Sequence, residues 1–591
     1  MLNDRKKLII IGAGPAGLTA AYKASMAGMD SVVLEKDQVV GGISRTVQYK
    51  GYYFDIGGHR FFTKSKSVEE MWKEVLGDDL LECSRLSRIY FNNKFFFYPL
   101  RFFDAMMKLG IWNGSLIVCS YIYYQLFPLE NEKSFENWII NRFGNRLYRT
   151  FFKDYTEKVL GMPCSEIRAE WAAQRIKGLS LIVALKDALI GNSRYKSDCK
   201  TLIYSFYYPK LGPGMMWQRV CDAVQQNGSA VLLGTEVDGI LLDGNRVKAL
   251  EIRRNGQAEI IRGTDFISSM PVKELVQKLK PVPHEVLHEA NKLRYRDFIL
   301  VALIVNRRSI FPDNWIYIHD TSLQVGRIQN FKNWSSLMVP DQEKTCLGME
   351  YFCSVGDSLW EKSDEDLVNL GREEIARLGL AEADEIEDGH VVRMPKAYPV
   401  YDSVFEKSIG VVRELIDGIE NLQLIGRNGM HRYNNQDLSM MTAFLAVENI
   451  QGARHNLWEV NEELEYIEEI KGDQTEAIRE LLECSFSRMD KLGFATAVGS
   501  VFGMFMFLAT IFLALKGQSV TASYLQLLDN YYFGYSVTVK GAFIALAYGF
   551  TWAFLFGWLF AYLRNFFFAL YIYRVKRRVE LLTAMDFFNH F

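Results

Sequence analysis

Residues 7–36, KLIIIGAGPAGLTAAYKASMAGMDSVVLEK, decide the fold. An apolar strand over Lys7–Ile11 runs straight into Gly12-Ala-Gly14-Pro-Ala16-Gly17, a helix is predicted from Leu18 to Gly28, and a second strand over Ser31–Leu34 ends at Glu35 and Lys36. That order gives each glycine a task. Gly12 permits the tight turn, Gly14 lets the backbone beside Ala16 approach a pyrophosphate, and Gly17 lets helix and strand pack closely, while the helix N-terminus favours phosphate charge. Glu35 falls where an acid accepts ribose hydroxyls. The fold class that follows is α/β, with a Rossmann-type dinucleotide-binding sheet.

At 591 residues the chain exceeds the roughly 250–300 residues at which one hydrophobic core stops growing, so more than one lobe is expected. A formal net charge of -2, with no Lys/Arg-rich arm in the body, argues against a nucleic-acid partner. The 8 cysteines form no CxxC pair and match no His spacing, so reduced thiols facing a cytosol are expected and no metal site is predicted. There is no GxSxG elbow, no HExxH and no obvious Ser-His-Asp or Cys-His set, which leaves the chemistry to a bound cofactor.

No charged residue occurs from Leu492 to Leu515 or from Gly541 to Leu563, and at about 1.5 Å per residue each run reaches across a hydrocarbon core of about 30 Å. A membrane domain over 492–591, with spans 492–515 and 541–563, is therefore expected. Arg488 and Lys491 precede the first span, and Arg564, Arg574, Lys576, Arg577 and Arg578 follow the second. The loop between holds only Lys516, Asp529 and Lys540, which places the N-terminal body and the C-tail on the cytoplasmic side of a cell membrane. Residues 456–491 read as a charged helical connector. Leu109–Leu129 is a further uncharged run, rich in aromatics; a buried helix and an element dipping into lipid headgroups both fit it.

After Glu35-Lys36, the run Val40-Gly41-Gly42-Ile43-Ser44-Arg45 resembles the extended FAD-binding motif of the family that includes amine oxidases, protoporphyrinogen oxidase, phytoene desaturases and UDP-galactopyranose mutase. Gly234-Thr-Glu-Val237 resembles the strand that in this family returns a valine to the adenine. The resemblance implies FAD in a glutathione-reductase-like domain assembled from residues 1–80, 200–270 and 390–455. A substrate-binding helical domain from 81–199 and 271–389 would be interleaved with it.

Within that family, Leu424-Ile-Gly426-Arg427-Asn-Gly429-Met-His431-Arg432-Tyr433-Asn434-Asn435-Gln436-Asp437 is similar to the signature of the UDP-galactopyranose mutases. Asp55-Ile-Gly57-Gly58-His59-Arg60-Phe61-Phe62, Tyr155-Thr-Glu-Lys158-Val-Leu-Gly161, Gly326-Arg327-Ile-Gln-Asn330-Phe-Lys332 and Pro395-Lys-Ala-Tyr398-Pro399-Val resemble further mutase segments in the same order, across about residues 7–450. The likeness implies a membrane-anchored sugar mutase that interconverts pyranose and furanose forms. Reduced FAD, with NAD(P)H as a candidate reductant, would bond through flavin N5 to the anomeric carbon as phosphate leaves. It further implies His59, Arg327, Arg432 and Tyr433 as catalytic residues and Tyr155, Arg175, Lys332, Tyr398, His431 and Asn434 as substrate contacts, with Arg327 holding phosphate oxygens. Gly12, Gly14, Ala16, Gly17, Glu35, Lys36, Gly42, Ile43, Ser44, Gly58, His59, Val237, Gly426, Arg427, Asn435, Gln436 and Asp437 would surround FAD.

The pattern also departs from the mutases. His431 and Asn434 stand where their signature has tyrosines, Arg175-Ile-Lys-Gly-Leu179 lacks a second arginine, and Leu160 replaces a tryptophan. A weaker nucleotide grip beside two spans argues against UDP-galactose itself and sets a polyprenyl-phosphate sugar beside a nucleotide-linked one as the substrate, in cell-envelope glycan synthesis, with a glycosyltransferase as a further partner. An FAD-dependent oxidoreductase of amine oxidase, protoporphyrinogen oxidase or desaturase type, acting on an apolar substrate, fits the same motifs. Electron balance separates the two, because an isomerase consumes no oxidant.

Overall fold

Leu8, Ile9 and Ile10 have no solvent exposure in the strand Lys7–Ile11, the middle of a five-stranded, all-parallel sheet. Its order is Leu422–Leu424, Asp265–Ser268, Lys7–Ile11, Asp30–Leu34, Ala230–Leu232. A strand covered on both faces needs an unbroken apolar run rather than alternation, and Leu8–Ile11 supplies it. The computed structural model describes residues 6–98, 100, 102–169, 171, 205–461, 489–516 and 525–589. They fall into two units, Met1–Ile470 and Lys471–Phe591.

In the first unit the helix predicted from Leu18 begins at Pro15, because proline presets the backbone angle of a first helical residue and has no amide to leave unpaired. This helix, Pro15–Met26, buries Ala20, Ala21 and Ala24, and lies between the helices Pro213–Gln226 and Gln436–Ile450.

A second, seven-stranded sheet runs Ile386–Pro399, Tyr295–Val305, Thr345–Cys353, Arg327–Asn330, Trp315–Ile318, Ser87–Phe91, Lys94–Phe97. The period of two is visible in its long strand Tyr295–Val305. Phe298, Leu300, Ala302 and Ile304 enter the core that also holds Phe54, Phe135 and Phe151, while Ile299, Val301, Leu303 and Val305 face the core beneath the helix Asp364–Arg377. Two expected boundaries shift. Ile386–Pro399 pairs with Tyr295–Val305, so residues 390–399 belong to this sheet, and the helices Val272–Lys278 and His284–Lys292 pack on the dinucleotide side, beyond residue 270.

Residues 109–129 form the helix Ile111–Leu126, preceded by Phe102–Leu109. Ile117 and Tyr121 are buried, whereas Trp112, Ile122, Tyr123 and Phe127 are exposed. The run is neither wholly buried nor a span.

In the second unit the helices Lys491–Lys516 and Val539–Asn589 pack together through small residues: a Cβ on Gly503 would meet the Leu546 carbonyl oxygen at 3.0 Å, and one on Gly557 the Ala495 Cα at 3.2 Å. Lys491–Leu515 and Val539–Phe567 are long and apolar enough to cross a membrane. Val501, Phe505, Phe512, Phe543, Trp552 and Phe556 are all exposed. The expected connector over 456–491 lies largely outside the described residues.

Candidate cofactor and substrate cavity

Gly12 has a φ of +98°, and a side chain there would collide with Ser269. A Cβ on Gly17 would overlap the Gly12 carbonyl oxygen and stand 3.0 Å from its carbon, so the helix can rest on the turn only as glycine. A Cβ on Gly42, in the short helix Gly42–Ser44, would lie 3.3 Å from the Gly14 Cα, which brings the two glycine segments face to face. Glu35 ties the turn down: Ala13 N donates to Oε2 at 2.7 Å and Asp37 N to Oε1 at 2.9 Å, while burial pushes the carboxyl's pKa up. Gly426 closes the opposite wall, where a Cβ would stand 2.9 Å from that of Ala16. Asn435 is the N-cap of Gln436–Ile450, and Gln436 Oε1 accepts from Trp217 Nε1 at 3.0 Å.

From this end a continuous cavity of about 940 Å³ runs to an aromatic wall on the second sheet. Gly12, Gly14, Ala16, Glu35, Lys36, Gly42, Ile43, Ser44, Gly58, Val237, Gly426, Arg427, Asn435, Gln436 and Asp437 line the dinucleotide end; Gly17 lies behind the turn. Steric clearance at the glycines, the acid at the strand end and a helix N-terminus fit FAD.

His59 faces the cavity from the segment after the strand Tyr52–Asp55. Its Nε2 lies 2.8 Å from the Ile56 carbonyl, and burial, reinforced by Arg427 and Arg327, lowers its pKa to about 4. A carbonyl only accepts, so Nε2 carries the proton and the ring is neutral near pH 7. Arg327 starts the strand Arg327–Asn330 and reaches the backbone of Gly58, where a Cβ would lie 3.7 Å from its Cζ. Its guanidinium is held by Glu350, with Nε to Oε2 at 2.7 Å and Nη2 to Oε2 at 2.5 Å; Gln329 Nε2 donates to the other oxygen at 2.6 Å. Tyr398 stacks on Tyr433 at 5.6 Å, under Arg427. Tyr155 stacks on His319 at 4.5 Å and meets Tyr317 edge-on at 5.7 Å. Burial raises the pKa of the hydroxyls of Tyr155 and Tyr398, so both stay protonated donors.

His59, Arg327, Tyr433, Tyr155, Tyr398 and Asn434 thus share one cavity. Three expected residues do not reach it. Lys332 turns to the Arg308, Gln342 and Lys344 carbonyls at 2.9, 2.5 and 3.0 Å, which occupies all three of its donors. Arg432 donates to the Trp458 carbonyl at 2.7 Å and lies over that indole. His431 sits fully buried between the rings of Tyr295 and Phe405. Arg175 lies outside the described residues.

The sequence reading missed Trp315, Tyr317 and His319, which line the cavity while Ile316 and Ile318 face the opposite core. Their aromatic-aliphatic alternation was the available signal. It also missed Glu350, an acid inside the apolar strand Thr345–Cys353. Lys158 is a bracket: its Nζ donates to the Ile318, Asp320 and Val325 carbonyls at 3.2, 2.8 and 3.2 Å, and burial lowers its pKa to about 8.

His431 makes acid sensitivity testable, since burial, with a smaller contribution from Lys273, lowers its pKa from 6.5 to about 3. The unfolded chain takes up this proton first, so stability falls as pH drops from 6.5 toward about 3, by about 1.4 kcal/mol per pH unit. His431→Asn is expected to lower the midpoint of thermal unfolding at neutral pH and to flatten its decline below pH 6.5. An unchanged slope across a pH series would exclude this role.

Residues 10–75 match the NAD(P)-binding Rossmann-like domain family. A 4,4'-diapophytoene desaturase (4,4'-diapolycopene-forming) of Methylomonas sp. is 23% identical over 299 residues, 45% of this chain and 55% of the relative, so the match spans about half the length of that enzyme. Among solved structures, a reduced UDP-galactopyranose mutase superposes with a TM-score of 0.67 at 18% identity, covering 79% of this chain and 100% of that one. A protein provisionally assigned as a protoporphyrinogen oxidase from Exiguobacterium sp. gives 0.59 at 16% identity, covering 76% and 98%.

Proposed function

We propose that this chain, which carries the FAD-binding fold of the flavin-dependent amine oxidase and desaturase superfamily, is an oxidoreductase acting on an elongated apolar substrate drawn from a membrane. The supporting observation is the cavity wall beyond the dinucleotide end, built from Leu100, Phe135, Phe143, Leu147, Phe151, Phe152, Trp171, Trp315 and Trp334. Of the cations expected at the substrate, Arg327 lines the cavity with Glu350 offsetting its charge, Lys332 and Arg432 turn elsewhere, and Arg175 lies outside the described residues. Arg60 and Arg85 line it as well, Arg85 over the rings of Tyr98 and Trp315. Bound FAD would supply two-electron chemistry. The chain's own part is to exclude water with the aromatic wall and to orient substrate between neutral His59 and the protonated hydroxyls of Tyr155 and Tyr398.

A second reading, a mutase of a polyprenyl-phosphate or nucleotide-linked sugar, is supported by Arg327, Tyr155 and Tyr398 lining one cavity and by the likeness of fold to the mutase. It needs reduced flavin, with NAD(P)H as the donor, and a glycosyltransferase as the consumer of product. In both readings the apolar tail holds the body at the cytoplasmic face of a cell membrane.

Anaerobic incubation of the full-length, detergent-solubilised protein with polyprenyl, fatty-acyl and carotenoid-type substrates tests the choice. The expected result is bleaching of the flavin in step with a product lighter by two hydrogens. Rearrangement of a lipid-linked sugar without change of mass, seen only with reduced flavin, would instead establish the mutase.

A further inference from the structure

We propose that the outer face of the helix Ile111–Leu126 is a docking surface for an anionic lipid bilayer. Trp112, Cys119, Tyr123 and Phe127 recur at steps of seven and four residues and form one stripe along the helix. The stripe points away from the core: Trp112 is 76% exposed, Tyr123 and Phe127 56% each, and Cys119 is exposed, while Ile117 and Tyr121 on the opposite side are buried. Ile122 flanks the stripe, and Met107, 80% exposed, precedes it. No charge interrupts residues 109–129, and of the polar side chains exposed along the helix Gln125 donates to the Asn141 carbonyl and Asn113 to that of Leu109. Of the acids that follow, Glu132 is held by Arg142.

Water is a poor neighbour for such a face, and a lipid interface is a good one, because tryptophan and tyrosine favour the headgroup layer. The border supplies the matching charge. Arg146, whose amide donates to Ser120 Oγ at 3.2 Å, and Arg149 are both exposed, and among the described residues neither forms an ion pair. Arginines beside an uncharged aromatic stripe suit anionic headgroups. Two helices of the same chain are long and apolar enough to cross a membrane, and the anchored reading proposed above puts a bilayer in cis. The helix packs on Phe135–Phe143 and on the residues after it, and Phe143, Leu147, Phe151 and Phe152 line the cavity from within. Lipid docked here would therefore lie against the outer side of the cavity's apolar wall. The inference holds whichever reaction the cavity performs.

The test uses full-length protein carrying Cys199→Ser and Cys484→Ser, with an environment-sensitive fluorophore on Cys119; Cys83, Cys164, Cys221, Cys346 and Cys353 are buried. After reconstitution into phosphatidylcholine vesicles containing phosphatidylglycerol, the label is exposed to spin-labelled lipid and to aqueous iodide. The reference is a label on the exposed loop residue Val355, as Val355→Cys in a Cys119→Ser background. The expected result is strong quenching by lipid and weak quenching by iodide. Arg146→Glu with Arg149→Glu, or vesicles of phosphatidylcholine alone, should bring lipid quenching down to the reference, with flavin absorbance retained as proof of folding. Iodide quenching equal to the reference overturns the proposal. So does protection from both quenchers, which would mean that the tail or a second copy covers the stripe.

Discussion

Gly17→Ala protein is expected to purify without flavin. The new Cβ would overlap the Gly12 carbonyl oxygen, and the turn cannot move aside: Gly12 N donates to the Leu34 carbonyl at 2.8 Å, Ala13 N to Glu35, and Gly41 N to the Ala13 carbonyl at 2.8 Å. Forcing a methyl group into packed backbone costs roughly 3 kcal/mol, or about a hundredfold in cofactor affinity. Gly28→Ala is the control. Its φ is +69° but no atom lies within 4 Å of the added carbon, so it should lose about 1 kcal/mol of stability and keep its flavin. The ratio of flavin to protein absorbance and titration of the apoprotein with FAD check both, and a fully yellow Gly17→Ala protein would refute the packing argument.

The largest effect on stability is expected at the Arg327–Glu350 pair. Glu350→Leu leaves a guanidinium without its counter-charge inside the fold, a loss of about 3–5 kcal/mol. Arg327→Met combined with Glu350→Leu should restore most of that stability, because removing both partners of a buried pair in favour of apolar side chains is close to neutral. Chemical denaturation of the single and double variants measures this. Turnover of the double variant carries the functional information. If Arg327 serves mainly to balance Glu350 in an apolar cavity, oxidation of an apolar substrate survives within about tenfold, which corresponds to about 1.4 kcal/mol. If Arg327 grips a phosphate, as the mutase reading requires, turnover of the lipid-linked sugar is lost although the protein is stable.

Legibility in the sequence followed the range of the forces involved. The turn at Gly12–Gly17 was readable because strand, glycine loop and helix follow one another without a break and Gly17 answers to Gly12 and Ile10, although the atoms that bar side chains at Gly12 and crowd Gly14 belong to the distant Ser269 and Gly42. The alternation Trp315, Tyr317, His319 was equally local and could have been read. The outcome was different at residues 431–434, where the resemblance to the mutase signature implied that all four side chains reach the cavity. His431 adopts a φ of +48°, and the chain reverses, so that His431 and Arg432 face Tyr295, Phe405 and Trp458 while Tyr433 and Asn434 return. Outside helices and strands no period relates side-chain direction to sequence position. Lys332 was lost for a related reason. A cation on a motif cannot be told from one whose donors are taken by carbonyls of a distant loop, here Gln342 and Lys344. The strand pairing that places Arg327 opposite Glu350 is itself non-local, and only the acid within an apolar run hinted at a partner.

The interleaving of distant strands in the parallel sheet also sets a timetable for biosynthesis. Lys7–Ile11 acquires its inner neighbour Asp265–Ser268 only when that segment has been made, and the sheet is completed by Leu422–Leu424. At roughly 10 residues per second the first strand waits roughly 25 s for the one and roughly 40 s for the other. The glycine turn at the start of the chain can be closed over a cofactor only after Gly426 and Asn435 have left the ribosome, and the first helix long and apolar enough to cross a membrane, Lys491–Leu515, follows them. Completion of the sheet, which no longer waits on anything but its own last strand, and closure of the cofactor end therefore fall shortly before a run long and apolar enough to cross a membrane emerges.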